Sequence, residues 1–376
     1  MADRPTSLVP PSTGAPSPEA PAAAPDATTL HFSRGLAAWL SANDCSLAFT
    51  SYQAGKLFMV GRHEGGCLAT ATTFDRAMGL CVSGPRLFLA SALQIYQLEN
   101  VLRPGENANG AYDRLYVPRK AHATGDIDAH ELAVDGGGRL ILVNTSYSCL
   151  ATLGETHAFT PIWKPAFISR LAPEDRCHLN GLAMDAGVPR FVTAISRSDV
   201  TEGWRDRRQS GGVLIEVETD RIVADDLSMP HSPRMRDGVL WVLDSGRGLI
   251  TRIDPATGAR RDLAFCPGFL RGLSFVGGCA VVTLSRPRGP GAFEGLEIAD
   301  TLRRRDADAW CGVLVVDLES GDILEWIRLD GTINELFDVA VVPGGRAPMT
   351  VAPSSDIMRT FITFDAEFAP LRPPTA

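Results

Sequence analysis

DAHELAVDGGGRLILVNTSYSCLATL (Asp128–Leu153) reads as a strand, a glycine turn, a second strand, a polar corner and a third strand. Short apolar runs in LAV and LILV are bounded by turn signals, as buried strands require. DGGG supplies residues that tolerate positive φ in a tight hairpin. The same strand–corner–strand layout recurs in LAFTSYQAGKLFMV (Leu47–Val60) and LWVLDSGRGLITRI (Leu240–Ile253), with TSY or DSG at the corner.

Working outward, seven segments align as copies of the leading strand: SRGLAAW (from Ser33), AMGLCVS (from Ala77), AHELAVD (from Ala129), LNGLAMD (from Leu179), PHSPRMR (from Pro230), LRGLSFV (from Leu270) and LFDVAVV (from Leu336). Their aligned positions, Gly35, Gly79, Glu131, Gly181, Ser232, Gly272 and Asp338, fall at intervals of roughly 40 to 66 residues, the length of a four-stranded blade with variable loops. The expectation is an all-β fold, a single β-propeller over 28–366, with seven blades favoured and six the alternative if GLAAWLSA (Gly35–Ala42) is a helix. TTLHF (Thr28–Phe32) is expected to complete the last unit, which offers strands at 337–342, 348–352 and 360–364, and so to close the ring. Helical periodicity is otherwise confined to 295–305.

Composition narrows the class. A chain of 376 residues with 45% hydrophobic content can bury a large core, and a net charge of -8 without a long basic run argues against nucleic-acid binding. The eight cysteines are scattered without a C-x-x-C pair and read as small buried hydrophobes, which fits a cytoplasmic protein. Residues 1–27 are Pro/Ala-rich and lack a signal-peptide core, so they read as a disordered leader; 367–376 read as a flexible tail. No apolar run approaches the roughly 20 residues needed to span a bilayer, so no membrane partner is expected.

In a propeller the leading strands line a central channel, and side chains at one aligned position form a ring around the axis. The residue before the aligned position reads Arg34, Met78, His130, Asn180, His231, Arg271, Phe337. Two residues earlier the ring reads Phe32, Arg76, Asp128, His178, Met229, Phe269, Glu335. His130, His178 and His231 therefore converge on one mouth and are the candidate ligands of a divalent metal, zinc, iron or manganese, with an open position for water or substrate. Glu335, Asp128 and Glu131 are the candidate acid–base carboxylates. Arg76 and Arg271 are candidate anchors for a substrate anion, joined by Asn180 and Asp338. For each, a structural reading stands beside the functional one: histidines bonded to loop carbonyls, arginines in ion pairs.

The loops Arg197–Gly211 and Ser285–Arg305 exceed hairpin length, carry Trp204 and Phe293, and should share one rim as a lid or partner surface. No G-x-S-x-G, H-E-x-x-H, Walker or G-x-G-x-x-G motif is present in context, so no nucleotide cofactor is expected.

SLAFTSYQAGKLFMV (from Ser46), FDRAMGL (from Phe74), DIDAHEL (from Asp126), HLNGL (from His178) and LDSGR (from Leu243) resemble an uncharacterised bacterial family of conserved hypothetical proteins with a propeller-like fold. The resemblance covers about 30–365 and implies a fold without an activity. More distantly the layout is similar to gluconolactonase and strictosidine-synthase-like propellers, which implies axial metal-dependent hydrolase or lyase chemistry. Their ligands are typically Glu, Asn and Asp, where this chain has histidines. The first functional expectation is a metal-dependent hydrolase or lyase/isomerase acting on a small polar or anionic substrate at the channel mouth. The alternative is a non-catalytic propeller binding a protein or peptide partner through its rim loops, and the third is a non-haem iron oxygenase. Oligomeric state is not legible.

Overall fold

The computed structural model describes residues 28–287, 289 and 292–364; the expected leader 1–27 and tail 367–376 lie outside the described residues. The chain forms six blades of four antiparallel strands, two of them carrying a fifth strand. The inner strands are Leu80–Ser83, Ala129–Val134, Leu179–Asp185, Pro230–Arg236, Phe269–Val276 and Val339–Pro343, for blades 1 to 6. Each packs on the next, and the sixth packs on the first, so the ring is closed.

Six blades replace the favoured seven. The unit at Ser33 is an α-helix over Leu36–Ala42 with Leu36 and Leu40 fully buried. LAAWLSA places those two leucines on one face at i, i+4 and is rich in good helix formers, while no glycine hairpin follows it. Arg34 and Phe32 therefore drop out of the axial rings.

Closure also differs from the expectation. Thr29–Phe32 adds antiparallel to Ile323–Asp330 at the outer edge of blade 5. Blade 6 is instead composite: Cys45–Ser51 from the front of the chain pairs with Val339–Pro343 from its end, in register from Cys45↔Pro343 to Phe49↔Val339. Pro348–Thr350 runs parallel to Arg114–Tyr116 and covers the outer edge of blade 1; Ile357–Thr360 is a helical turn rather than the start of a strand. The helix expected near 295–305 is present at Glu297–Arg304.

The core lies between blades. Trp241, Leu243 and Ile250 of blade 4, for example, interleave with Leu270, Leu273, Val282 and Leu314 of blade 5, and every inter-blade seam repeats this burial of branched aliphatics from two sheet faces. All eight cysteines are free thiols, six of them buried. Among the described residues no helix is long and apolar enough to cross a membrane.

A belt of residues around the axis holds the inner strands together. At the aligned position it reads Gly79, Glu131, Gly181, Ser232, Gly272 and Asp338, alternating glycine and polar. A Cβ on Gly79 would lie 2.8 Å from the His130 carbonyl oxygen, on Gly181 2.3 Å from Pro233 Cδ, and on Gly272 2.6 Å from the Val339 nitrogen. The polar members bridge the other three seams. Leu182 N–H donates to Glu131 at 3.0 Å, Ser232 Oγ donates to the Arg271 carbonyl at 2.7 Å, and Leu80 N–H donates to Asp338 at 2.8 Å. Seams thus alternate between close backbone approach and a side-chain hydrogen bond. Gly181→Ala is expected to destabilise the fold by about 2 kcal/mol through overpacking. Gly278→Ala, where a Cβ meets nothing within 4 Å, is expected to stay within ~0.5 kcal/mol. Denaturant midpoints of the two variants check this.

Candidate functional site

The residues immediately before the belt form one mouth of the channel. Arg76, Asp128, His178 and Met229 stand at the same position of blades 1 to 4, and all four have positive φ, at 47°, 53°, 51° and 47°. A left-handed conformation costs a non-glycine residue roughly 1–2 kcal/mol. Four such residues at one repeated position turn the chain sharply into each inner strand and aim these side chains at the axis.

The three histidines are all present at this mouth, each fixed through Nδ1. His130 Nδ1 lies 2.9 Å from the Asp128 carbonyl oxygen, and His231 Nδ1 lies 2.8 Å from the Met229 carbonyl oxygen and 3.0 Å from Ser245 Oγ. A carbonyl only accepts, so both rings carry their proton on Nδ1 and leave Nε2 with a lone pair. His178 Nδ1 donates to the Asp175 carboxylate at 2.8 Å, and Trp204 Nε1 donates to the same oxygen at 2.7 Å. The indole also stacks on the His178 ring, centroids 4.2 Å apart, and the His130 ring meets His178 edge-on at 4.9 Å.

Burial favours the neutral form of two of these imidazoles. It pushes His130 down to about 4, with Asp128 opposing and His178 reinforcing the shift. It also holds His231 well below the usual imidazole range, reinforced by the Arg271 charge. Burial works against the Asp128 carboxylate as well, but the surrounding His130, His178, Arg76 and Arg271 side chains outweigh it and hold that group below its ordinary value.

Arg271 sits among three aromatic rings, Tyr52, Phe269 and Phe337, at 5.3, 5.3 and 5.4 Å from their centroids. Its Nη2 is 3.9 Å from Glu335 Oε1, too long for a hydrogen bond, and its Nε has no hydrogen-bond partner among the described residues. Burial lowers its pKa while Glu335 and Asp128 push it back up; a guanidinium stays charged through such a shift. Arg76, by contrast, is engaged by Asp126, with one bond at 3.1 Å, and lies 3.9 Å from Asp128. Asn180 Oδ1 accepts from Thr193 Oγ1 at 2.7 Å, and its Nδ2 is buried without a partner.

A cavity of about 530 Å³ opens beside this cluster, lined by Trp204, Met229, Phe269, Arg271, Phe293 and Glu335 among others. The two long loops do share this rim: Trp204 from one and Phe293 from the other form part of the cavity wall. Among the described residues no group of three or more His, Cys, Asp or Glu side chains is arranged to hold a metal ion.

Glu131 and Asp338 belong elsewhere. They point along the belt toward the opposite mouth, where a cavity of about 380 Å³ has Glu131 and Arg234 in its lining. Arg234 pairs with Glu131 and donates to the carbonyls of Leu273 and Leu182 at 3.0 and 3.1 Å. Burial raises Glu131 to about 7 and Asp338 to about 6, outweighing the Arg234 charge and the backbone N–H bonds that oppose it. Asp175 and Arg234 were not among the sequence candidates. Asp175 stands three residues before His178, a spacing that signals an oriented imidazole; Arg234 lies inside PHSPRMR but reaches the axis only through the strand irregularity between His231 and Arg234.

The two ends of the channel therefore have opposite proton linkage. Glu131, raised from 4.5 to about 7, contributes stability at low pH that is lost as pH rises through that window. His130, lowered from 6.5 to about 4, contributes stability at neutral pH that is lost as pH falls through its window. Relative to wild type, the melting midpoint of Glu131→Gln should rise from about pH 5 to about pH 8, and that of His130→Gln should rise on acidification. Parallel midpoint–pH curves for wild type and variants would contradict the assignment.

The sequence profile of DUF4915, described as a domain of unknown function, matches residues 34–351. No functionally curated protein matches the chain. Among solved structures, a chain in the crystal structure of the nidogen/laminin complex superposes with a TM-score of 0.51 at 13% identity, covering 80% of this chain and 99% of that one. A catalytically inactive variant of virginiamycin B lyase from Staphylococcus aureus, bound to quinupristin, superposes with a TM-score of 0.40 at 8% identity, covering 84% and 99%. At these identities the likeness concerns the fold.

Proposed function

We propose that this chain, which belongs to the DUF4915 family, is an enzyme that moves protons on a small anionic substrate at the histidine mouth of its channel, by elimination or isomerisation. The observation that carries this reading is the Asp175–His178 pair at the same mouth as a charged Arg271 whose Nε has no hydrogen-bond partner among the described residues. The two are linked by contact: His178 touches His130, His130 touches Phe337, and Phe337 packs on the Arg271 guanidinium.

Asp175 fixes the His178 tautomer, so Nε2 is the basic atom. It takes a proton from the carbon next to the substrate carboxylate, and the electron pair is held on that carboxylate by Arg271. The pair then either expels a group from the adjacent carbon, which leaves with the electron pair, or takes a proton from solvent water on the other face, and in both cases the His178 imidazolium returns its proton to solvent. Asp175 balances the imidazolium that forms, a role that needs its negative charge and not its basicity. Neutral His130 and His231 present Nε2 as hydrogen-bond acceptors without adding charge.

A second reading, a divalent metal (zinc, iron or manganese) held by His130, His178 and His231 with Glu335 or Asp128, is supported by one feature. All three rings are bonded through Nδ1 and leave Nε2 outward, as metal-bound imidazoles are. Elemental analysis of the purified protein beside His130→Ala/His231→Ala tests it: near-stoichiometric metal, lost in a still-folded variant, would favour this reading.

For the proton-transfer reading, short carboxylates are incubated with the protein in D₂O and followed by proton NMR. The wild type should wash out the hydrogen next to the carboxylate, and His178→Asn and Asp175→Asn should slow this by a factor on the order of 10² or more. Exchange at the wild-type rate in His178→Asn, or binding without exchange for every carboxylate that binds, would overturn it; the latter points to a binding propeller.

A further inference from the structure

We infer that the substrate is a carboxylate carried on a flat apolar body, bound head-down on Arg271 with its body against the paired rings of Phe269 and Phe293. The inference rests on the proposed site and specifies what enters it.

The head group follows from the charges. Arg271 is a buried cation whose only ion-pair neighbour among the described residues is Glu335, at 3.9 Å. Its aromatic flanks, Tyr52, Phe269 and Phe337, offer π faces, and its Nε has no hydrogen-bond partner among the described residues. A ligand oxygen pair is the complement that is missing. The field at this point is modest. Glu335 Oε1 lies 3.9 Å from the guanidinium, and it and Asp128 already offset part of the Arg271 charge. That balance suits one delocalised negative charge and penalises a phosphate dianion.

The body follows from the walls. Phe269 and Phe293 stand 6.2 Å apart at 34°. Leu296, 3% exposed, belongs to the same small apolar cluster as both rings, with Met229 packed against it. This cluster is separate from the inter-blade cores and ends at a cavity of about 530 Å³, the size of a small-molecule site. Elsewhere on the wall, Arg286 is engaged, bonding the Asn334 backbone and side chain and the Gly331 carbonyl. Arg208 lies on the same wall, on the loop that carries Trp204, and is the competing candidate for the head group.

Calorimetric titration of the full chain with 3-phenylpropionate, its primary amide, acetate and inorganic phosphate tests the assignment. Phenylpropionate should bind at least about tenfold more tightly than each of the other three. Arg271→Gln should remove that advantage over the amide, and Arg208→Gln should leave it intact. If Arg271→Gln does not fold, Phe293→Ala serves, and should lose the advantage over acetate while keeping that over the amide. Equal binding of acid and amide, stronger binding of phosphate, or a loss confined to Arg208→Gln would overturn the inference. His178→Asn should bind phenylpropionate as wild type does. Binding without proton exchange then sinks the catalytic reading alone, and exchange on carboxylates that needs Arg271 but ignores Phe293 and the apolar body sinks this one alone.

Discussion

The ring depends on the alternation at its axis. Six inner strands cannot all approach equally closely, because a side chain at every belt position would not fit the axis. The chain resolves this by pairing a glycine on one blade with a long or hydrogen-bonding side chain on the next. Gly79 admits the Glu131 backbone, Gly181 admits that of Ser232 and Gly272 admits that of Asp338. Each polar member then reaches the backbone of the following blade. These bonds are buried and so cannot be exchanged for water bonds without loss. A belt of this kind closes only on an even number of blades.

The histidine mouth is positioned by what lies one and three residues upstream of that belt. The belt fixes where each inner strand begins, and the positive-φ residues at Arg76, Asp128, His178 and Met229 turn the chain into it. Because His130 and His231 then bond the carbonyls of Asp128 and Met229, the strained residue also sets the imidazole tautomer. Backbone strain, ring orientation and the direction of the free Nε2 are one construction. Such strain persists only where the surroundings over-determine it, and here the belt supplies that determination from below.

The repeat was legible because each blade needs the same turn chemistry, and the axial rings followed from counting along it. Blade number was harder. Gly35 fits the glycine column, yet next to Gly79 it would put two glycines side by side and break the alternation, a clue visible in the letters once the pairing rule is known. Closure was misread since strand text says nothing about partners: TTLHF pairs with ILEWIRLD, whereas CSLAFTS takes VAVVP. The mouth histidines and Arg271 were found by position. Asp175 was not, because its role comes from a short loop that brings it back under His178 and also receives the Trp204 indole from the long loop of the same blade. Glu131 and Asp338 stand one residue after the nearer candidate-site column, in the belt itself, and belong with the opposite mouth.

That last point separates two kinds of axial charge. Toward one mouth, burial strips protons from His130 and His231; toward the other, it drives protons onto Glu131 and Asp338. Both outcomes are the same physics, the neutral form favoured where water is excluded. The consequences differ because each end holds a guanidinium, which cannot shed its charge, and the two are met differently. Arg234 is shared between backbone carbonyls and Glu131. Arg271 has no such set of acceptors among the described residues. That asymmetry, one axial guanidinium bonded within the protein and the other lining a cavity, is what the proposed anion site rests on.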